Sequence, residues 1–350
     1  MSREKHFVSL TVSIISFFVS TAQKEMVTIV KEKNENKINV FIGQKLFTSF
    51  LYPDTLEKPV LWPINASNGT MVTRGFPLHP QPGEPTDHPH HVGLWFNFEN
   101  VNGLDFWNNS YAIPPEKKYL YGWIKTDKII ETSNGDKGVL SYHANWVNQQ
   151  KEALLEETTE FEFSGTPHWR IVDRSTTLKA NTDVLFTDAK DGMLGLRVAH
   201  ELQIPSTTDQ KFTDDKGNVT IVKKSSDSVA NGNYLTSEGK QGDDAWSTRA
   251  AWCKMYGKMG NDSISIVIID HSGNPNYPTF WHARGYGLFA ANPLAEKIFT
   301  NGKSEKNLRL KKGESVRFYY RIIIHADKET IRATQLNKLA DEFAKTNPDH

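Results

Sequence analysis

Cysteine and surplus charge are what this 350-residue sequence lacks. A single cysteine, Cys253, excludes an intramolecular disulfide framework and a cysteine-rich zinc site. Lys and Arg number 41 and Asp and Glu number 41, so the net charge is zero. A neutral chain has no long-range field to gather DNA, RNA or an acidic membrane surface. We therefore expect no nucleic-acid partner.

Aromatic residues, in contrast, are plentiful. The sequence contains 19 Phe, 11 Tyr and 9 Trp, within an ordinary globular composition of 38% hydrophobic and 23% charged residues. Tyr and Trp favour strands, and their rings also stack on sugars. The excess therefore fits β-structure, with or without a carbohydrate site.

The one long apolar run lies near the N-terminus. Arg3 and Lys5 form a short basic start, and residues 7–19 are Val, Leu, Ile and Phe softened by Ser and Thr. Small residues follow just before Gln23, as signal peptidase requires. The pattern predicts a signal peptide over residues 1–22, export to the periplasm and no membrane insertion after cleavage. A membrane anchor is the alternative, but the run is short for a span of about 20 residues.

The rest of the sequence alternates apolar and polar residues at a period of two. Residues 154–163 and 315–324 are such runs, and turn signals such as residues 134–136 separate them. Only residues 328–345 carry the apolar stripe of a helix. These patterns predict an all-β protein, a large antiparallel two-sheet sandwich with a short C-terminal helix. No linker or low-complexity break divides the chain, so residues 23–350 are predicted to form a single domain.

Three histidines and an aspartate stand within one run of five residues. Alternate residues of an extended segment share a face, so His88 and His90 can chelate a divalent metal together with Asp87 or the distant His143. The same imidazoles, with His91, suit acid/base chemistry near neutral pH. A set of hydrogen-bonded structural histidines is the third reading. We expect no cofactor, with a divalent metal as the alternative.

Two arginines stand in contexts that favour binding. Alternation places Arg197 on the strand face opposite Leu194 and Leu196. Among small neighbours its guanidinium can bind a carboxylate or sulfate with two hydrogen bonds, although a structural acid is an equally suitable partner. Arg249 stands near Trp246, where an arginine can stack on an indole.

A Gly- and Pro-rich stretch, residues 270–293, concentrates several functional side chains. Such loops on a rigid sheet often carry binding and catalytic groups. His282 and Arg284 are two residues apart, so a strand would direct both to the same side. The candidates in this stretch are Tyr277, Trp281, His282, Arg284 and Asn292.

Several short motifs resemble the PmoA-like domain family, which is also labelled methane oxygenase PmoA. The motifs are Lys58-Pro59-Val60-Leu61-Trp62-Pro63, Arg74-Gly75-Phe76-Pro77, Asp87-His88-Pro89-His90-His91, Gly93-Leu94-Trp95-Phe96, Asn102-Gly103-Leu104-Asp105-Phe106-Trp107, Gly195-Leu196-Arg197-Val198-Ala199 and Trp281-His282-Ala283-Arg284. The resemblance implies a galactose-mutarotase-like supersandwich. It also implies similarity to exported dehydratases that act on ulvan-type, uronate-containing oligosaccharides. A methane oxygenase is not expected, because no segment after the signal peptide is long enough to span a membrane.

Elimination of water across C4 and C5 of a uronic acid removes a proton α to a carboxylate. Neutralising that carboxylate makes the proton more acidic, while a base must reach C5 and an acid the departing 4-hydroxyl. The sequence supplies candidates for each role. The carboxylate would be bound by Arg74, Arg197 or Arg284, the base would be His90, His91 or His282, the acid would be Tyr277 or another His, and Trp95, Arg249, Trp281 and Asn292 would contact the sugar.

The sequence leaves other classes open. A glycoside hydrolase needs two carboxyls about 5–10 Å apart, and the motif stretches offer only Asp87, Glu99 and Asp105. The remaining alternatives are a sugar 1-epimerase, a non-catalytic periplasmic sugar-binding protein and a metal-dependent oxidoreductase. The leading prediction is a carbon–oxygen lyase, a dehydratase that acts on uronate-containing oligosaccharides such as ulvan fragments. Its partner would be the anionic oligosaccharide itself.

Overall fold

Two antiparallel eight-stranded sheets dominate the computed structural model, which describes residues 23–213, 219–224 and 229–346. The first sheet contains, in spatial order, β1 (Val27–Lys31), β2 (Lys37–Ile42), β3 (Lys45–Leu51), β4 (Val60–Ile64), β5 (Leu94–Phe98), β11 (Gly192–Arg197), β18 (Leu288–Asn292) and β17 (Phe280–Ala283). The second contains β14 (Asn233–Thr236), β15 (Trp252–Met259), β16 (Asp262–Asp270), β20 (Ser315–Asp327), β9 (Trp169–Ala180), β8 (Ala153–Gly165), β7 (Gly138–Val147) and β6 (Trp123–Ser133). The predicted antiparallel two-sheet sandwich is confirmed.

Smaller elements complete the described part of the chain. Two small antiparallel sheets of two strands each pair β10 (Val184–Phe186) with β19 (Leu308–Leu310) and β12 (Gln210–Thr213) with β13 (Val219–Val222). The α-helices of the described residues are α1 (Glu296–Phe299) and α2 (Ala333–Phe343), and three short 3-10 helices cover Pro115–Leu120, His200–Leu202 and Gly242–Ala245. None of the helices in the described ranges is long and apolar enough to cross a membrane. The predicted signal peptide, residues 1–22, lies outside the described residues, and export stays a prediction.

The C-terminal helix is present but shorter than the predicted range of 328–345. It begins after Arg332, whose backbone is extended. The preceding residues are tied to the second sheet, because Lys254 donates hydrogen bonds to the Thr330 hydroxyl (3.1 Å) and the Ile331 carbonyl (2.8 Å). The apolar stripe remains correct, since Leu336 and Phe343 pack on the sheet. Tertiary contacts therefore removed the first helical turn that the sequence pattern suggested.

The core lies between the two sheets, where strand alternation directs the apolar residues. In β9 every second residue from Arg170 to Ala180 is buried. Rings from both sheets meet there: Phe96 of β5 lies 5.5 Å from Phe318 of β20 and 6.4 Å from Trp146 of β7, measured between ring centroids. Burying such side chains contributes about 1.5–3 kcal/mol each.

One charged network sits inside this core. The Glu157 carboxylate accepts hydrogen bonds from the Tyr142 hydroxyl (2.6 Å), Trp146 Nε1 (2.8 Å), the Thr159 hydroxyl (2.7 Å) and Arg174 Nη2 (3.0 Å). A buried carboxylate is tolerated only when it is paired and hydrogen-bonded in this way. The network joins β7, β8 and β9 at a single register, so it is structural.

Asp270, at the end of β16, should make stability depend on pH. Its carboxylate is buried and accepts hydrogen bonds from Asn274 Nδ2 (2.6 Å) and the Thr279 amide (2.8 Å). Burial raises the pKa of Asp270 to about 7, although both hydrogen bonds oppose that shift. The folded chain therefore holds a proton that the unfolded chain releases above about pH 4. Stability should fall as the pH rises from about 4 to about 7.

The variant Asp270→Asn should remove this dependence, because an amide does not titrate. Between about pH 5 and pH 7 the wild type should lose about 2 kcal/mol more of its free energy of unfolding than the variant does. Urea denaturation at several pH values measures this difference. Asp262→Asn is the control, since the pKa of Asp262 is lowered and it stays ionised over this range. Equal slopes for wild type and Asp270→Asn would contradict the prediction.

Candidate functional site

A cavity of about 690 Å³ lies on the face of the first sheet that points away from the sandwich core. In β11, Leu194 and Leu196 belong to the main core, while Gly195 and Arg197 lie on the opposite face with Trp95 and Leu288. The volume is typical of a small-molecule site. The polar side chains in its lining are Thr86, Asp87, His88, His90, His91, Asn108, Ser110, Lys190, Asp191, Thr220, His282, Arg284 and Tyr286.

Arg74 holds the histidine segment in place. This arginine is almost fully buried, and its guanidinium donates hydrogen bonds to the carbonyls of Asp87 (2.7 Å), His88 (2.9 Å) and His91 (3.1 Å). Burial lowers the pKa of Arg74 to about 9, which leaves it charged at neutral pH. The predicted substrate-binding Arg74 is thus bound to backbone acceptors and does not line the cavity.

Arg197 and Asp87 form a buried ion pair behind the histidines. Arg197 Nη2 donates to both carboxylate oxygens of Asp87, at 2.8 and 2.9 Å, and His88 Nδ1 lies 2.5 Å from Asp87 Oδ1. Burial disfavours the charged carboxylate, but Arg197, His88 and Arg74 together hold the pKa of Asp87 well below its ordinary value. Arg197 therefore has the structural acid that the sequence left as an alternative partner.

Arg197 also determines which nitrogen of His91 carries a proton. Arg197 Nη1 lies 3.2 Å from His91 Nδ1. An arginine can only donate, so His91 Nδ1 must accept. Burial, followed by the charge of His90, lowers the pKa of His91 well below its ordinary value. His91 is therefore neutral at pH 7 with its proton on Nε2, and that N–H is the donor it offers to a ligand.

A column of stacked rings supports this segment. Tyr286 stacks on His88 at 5.0 Å, His88 on His91 at 4.8 Å, and His91 on Trp95 at 5.2 Å between ring centroids. Gly195 makes room for the column, because a Cβ there would lie 2.5 Å from the Trp95 ring. Trp95 is fully buried beneath His91 and supports the site without lining the cavity.

His282 lies next to a carboxylate, Asp191, that is itself paired with Lys190. Asp191 Oδ1 lies 3.2 Å from His282 Nδ1, and Asp191 Oδ2 lies 3.4 Å from Lys190 Nζ. Burial raises the pKa of Asp191, but Lys190 and His282 lower it more, so Asp191 is ionised. Burial also lowers the pKa of His282, against the effect of Asp191. His282 is thus neutral, and its Nδ1 lies close to the carboxylate without the angles of a hydrogen bond. The negative charge of Asp191 favours the tautomer with the proton on Nδ1, which leaves the Nε2 lone pair available.

Asn292 holds the backbone that carries Lys190 and Asp191. Its Nδ2 donates to the carbonyls of Ala189 and Lys190, both at 2.9 Å, and the Asp191 amide donates to Glu99 Oε2 at 3.0 Å. Asn292 is fully buried and does not line the cavity. The predicted substrate contact at Asn292 is therefore replaced by a supporting role for the Lys190–Asp191 segment.

Arg284 brings a second cation to the same cavity. Its guanidinium lies 5.3 Å from the Trp246 ring centroid and 6.0 Å from that of Tyr286. Like His282, it lines the cavity, as their spacing of two residues suggests. His90 also interacts electrostatically with Asp191. Burial lowers the pKa of His90 well below its ordinary value, while the charge of Asp191 opposes that shift.

Three further predicted residues also lie outside the cavity lining. Tyr277 is 38% exposed on the loop after β16. Arg249 donates to the Asn276 carbonyl at 2.7 Å and lies over the Phe280 ring. Trp281 belongs to the main core and donates to the Ala250 carbonyl at 2.9 Å. The acid role assigned to Tyr277 therefore has no geometric support.

The predicted metal ligands are not brought together. Within the described ranges, no group of three or more His, Cys, Asp or Glu side chains is arranged to hold a metal ion. His143 is on β7 of the second sheet, 3.4 Å from Asp127. Asp87 binds Arg197 and His88 instead. The described residues therefore do not support the predicted metal site of Asp87, His88, His90 and His143.

Sequence reasoning did not select Lys190, Asp191 and Tyr286 as site residues. Lys190 and Asp191 come directly before the buried strand β11, and Tyr286 lies in the turn between β17 and β18. The available signal was a charged pair at the start of an otherwise apolar strand. It pointed to no partner, because His282 is about ninety residues away in sequence.

The chain belongs to DUF6807, a family of unknown function whose model matches residues 37–341. The resemblance to the PmoA-like family was therefore wrong, since the matching family is DUF6807. The motifs behind it are short, and they contain both core residues such as Trp281 and cavity-lining residues such as His282. No curated protein matches the sequence.

Several solved structures match at low identity. A GH36 α-galactosidase, AgaB from Geobacillus stearothermophilus, is 7% identical over 86% of this chain and 41% of its own, with a TM-score of 0.37. The Slr1438 protein from Synechocystis sp. PCC 6803 is 9% identical over 91% of this chain and 100% of its own, with a TM-score of 0.30. This chain thus spans less than half the length of AgaB. These identities and TM-scores are too low to assign the activity of a matched structure to this chain.

Proposed function

We propose that the protein is a carbon–oxygen lyase, a dehydratase that eliminates water from a uronate-bearing oligosaccharide. The observation that carries this proposal is the pairing of His282 with Asp191 beside two cations, Lys190 and Arg284, in one cavity. A neutral imidazole backed by a carboxylate is a general base at neutral pH. Adjacent cations suit the carboxylate whose α-proton that base would remove.

The reaction balances with groups already in the cavity. Arg284 and Lys190 bind the substrate carboxylate and stabilise the negative charge that develops when C5 loses its proton. His282 Nε2 takes that proton, and Asp191 stabilises the imidazolium that results. The electron pair of the C5–H bond forms the C4–C5 double bond as the C4–O bond breaks.

The departing hydroxyl must then receive a proton. His91 offers its Nε2–H to the leaving oxygen as a neutral electrophile, because Arg197 blocks Nδ1. The imidazolium of His282 returns the C5 proton to that oxygen, so one water leaves and the enzyme is unchanged. Trp246 and Tyr286 supply ring faces on which the sugar can stack.

The acids of the cavity count against a hydrolase or an epimerase. The two carboxylates in its lining are Asp87 and Asp191. The pKa of each is held below its ordinary value by neighbouring cations and histidines, despite burial. A glycosidase needs one carboxyl that is protonated near neutral pH. An epimerase that uses a carboxylate base would have to free one of these from its partners.

The direct test is incubation with defined uronate oligosaccharides, such as glucuronan and ulvan fragments. Elimination adds an ultraviolet absorbance due to the unsaturated uronate. Mass spectrometry should show loss of one water without shortening of the chain. Absence of a new chromophore on every uronate substrate tested would refute the proposal.

Arg284 should contribute mainly to binding of the substrate carboxylate. We expect Arg284→Met to lower kcat/KM by about 10- to 100-fold, the range for losing charged hydrogen bonds. Esterified substrates, which lack the negative charge, should show a much smaller difference between wild type and variant. Arg309→Met is the matched control, because Arg309 is exposed on β19. An equal loss on charged and esterified substrates would contradict this role.

A further inference from the structure

Lys58 is a buried cation next to the candidate site. Its side chain is about 4% exposed, and Nζ donates a hydrogen bond to the His90 carbonyl at 2.8 Å. That carbonyl is its one hydrogen-bond acceptor among the described residues, although an ammonium has three donors. Nζ also lies 5.6 Å from the Trp95 ring centroid.

A second cavity, of about 220 Å³, lies beside Lys58. Pro89 and His90 line both this cavity and the larger one, so the two compartments meet at His90. The walls are mostly apolar, from residues such as Val60, Val92 and Leu78. Lys58 is the cation in this lining.

The carboxylates near Lys58 have other partners. Glu57, which also lines the small cavity, lies 3.6 Å from Lys118 Nζ. Asp105 accepts hydrogen bonds from the Asn108 amide (2.8 Å) and side chain (2.9 Å). Burial lowers the pKa of Lys58 to about 8, while the charges of Glu57 and Asp105 oppose that shift. In the described part of the chain no ion pair compensates the Lys58 ammonium.

We propose that the small cavity binds an oxyanion, a sulfate or carboxylate group, with Lys58 as its counter-ion. A buried ammonium with one acceptor is unfavourable, and an oxyanion would supply charge-assisted hydrogen bonds in a desolvated pocket. Because the compartments share His90, the oxyanion fits best as a substituent on the sugar next to the one that reacts. That last step rests on the proposed function; the anion site itself does not.

Inorganic sulfate is the first probe. Calorimetric titration of the full chain near pH 7 should show one site in the wild type, and Lys58→Met should bind at least about tenfold more weakly. Lys297→Met is the matched control, since Lys297 is exposed, and it should bind as the wild type does. Unchanged affinity in Lys58→Met would overturn the anion site.

A second measurement uses the unmodified protein, in case Lys58→Met folds poorly. Sulfate should protect Lys58 from reductive methylation near pH 8, as located by mass spectrometry, while Lys297 remains reactive. No protection at Lys58 would overturn the site even if sulfate binds elsewhere.

Sulfated and desulfated oligosaccharides separate a free anion from a substituent. If the group belongs to the substrate, Lys58→Met should lower kcat/KM at least about tenfold for the sulfated form and little for the desulfated one. An equal effect on both forms would overturn the substituent assignment. Lys58-dependent sulfate binding without turnover of any substrate would leave the anion site in place and refute the lyase.

Discussion

Replacing His282 by alanine is expected to lower kcat for elimination by about 10²- to 10⁴-fold, the usual contribution of a general base. The reason is positional: His282 Nδ1 lies 3.2 Å from an ionised carboxylate, Asp191, whose charge favours the tautomer with a free lone pair on Nε2. The initial rate of ultraviolet absorbance growth on a uronate oligosaccharide measures the effect. Circular dichroism and thermal unfolding should show that the variant is folded.

His325→Ala provides the control for this experiment. His325 is similarly buried, but it is on β20 of the second sheet and outside the lining of the large cavity. Its removal should leave the rate within about twofold. Equal losses in both variants would mean that His282 acts only through stability.

The pH profile adds a check on the same base. Burial lowers the pKa of His282 below its ordinary value of about 6.5, so the imidazole is neutral at pH 7. The rate should therefore be flat near pH 7 and fall only on acidification below about pH 6.5. A rate that rises steeply between about pH 7 and pH 9 would indicate a different base.

Replacing Arg197 by methionine is expected to reduce the free energy of unfolding by about 3–5 kcal/mol, the cost of removing one partner of a buried ion pair. Arg197 has no exposed surface, and it donates to both oxygens of Asp87 and to His91. Without it, the Asp87 carboxylate stays buried and the His91 tautomer is no longer imposed. Urea denaturation measures the loss, and His91 chemical shifts report the tautomer.

Arg321→Met is the matched control for Arg197→Met. Arg321 also pairs with an aspartate, Asp173, at 2.6 Å, but both side chains are partly exposed, so the loss should be about 1 kcal/mol or less. The pKa of Asp87 lies below its ordinary value, so its contribution is complete above about pH 4 and is lost as the pH falls further. The wild type should therefore show an acid-induced loss that Arg197→Met largely lacks. Similar losses in both arginine variants at pH 7 would contradict the assignment.

Most of the fold could be predicted from the sequence because strand alternation is local. The runs 154–163 and 315–324 fall within β8 and β20. At least every second residue of each run is buried or partly buried. The start of α2 could not be predicted, since it depends on Lys254, which is far away in sequence and binds the backbone of Ile331. Nothing in the helical stripe itself reports that contact.

The candidate site could be predicted only in part. The histidine segment, His282 and Arg284 were selected from their residue types and spacing, and the structure places them around one cavity. Arg74 and Arg197 were selected for the same reasons, yet their nitrogens bind protein acceptors. An arginine that binds a ligand and one that binds a carbonyl look alike in a sequence.

The sequence by itself determined a neutral, aromatic-rich β-sandwich, and it selected the histidine segment, His282 and Arg284 as candidates. Only the tertiary structure decided which side chains meet, because that depends on strand order: β11 pairs with β5 on one side and β18 on the other. This order brings Lys190 and Asp191 beside His282, and it places Arg197 behind Asp87. Sheet registers are long-range contacts, and no local pattern specifies which strand becomes the neighbour of another.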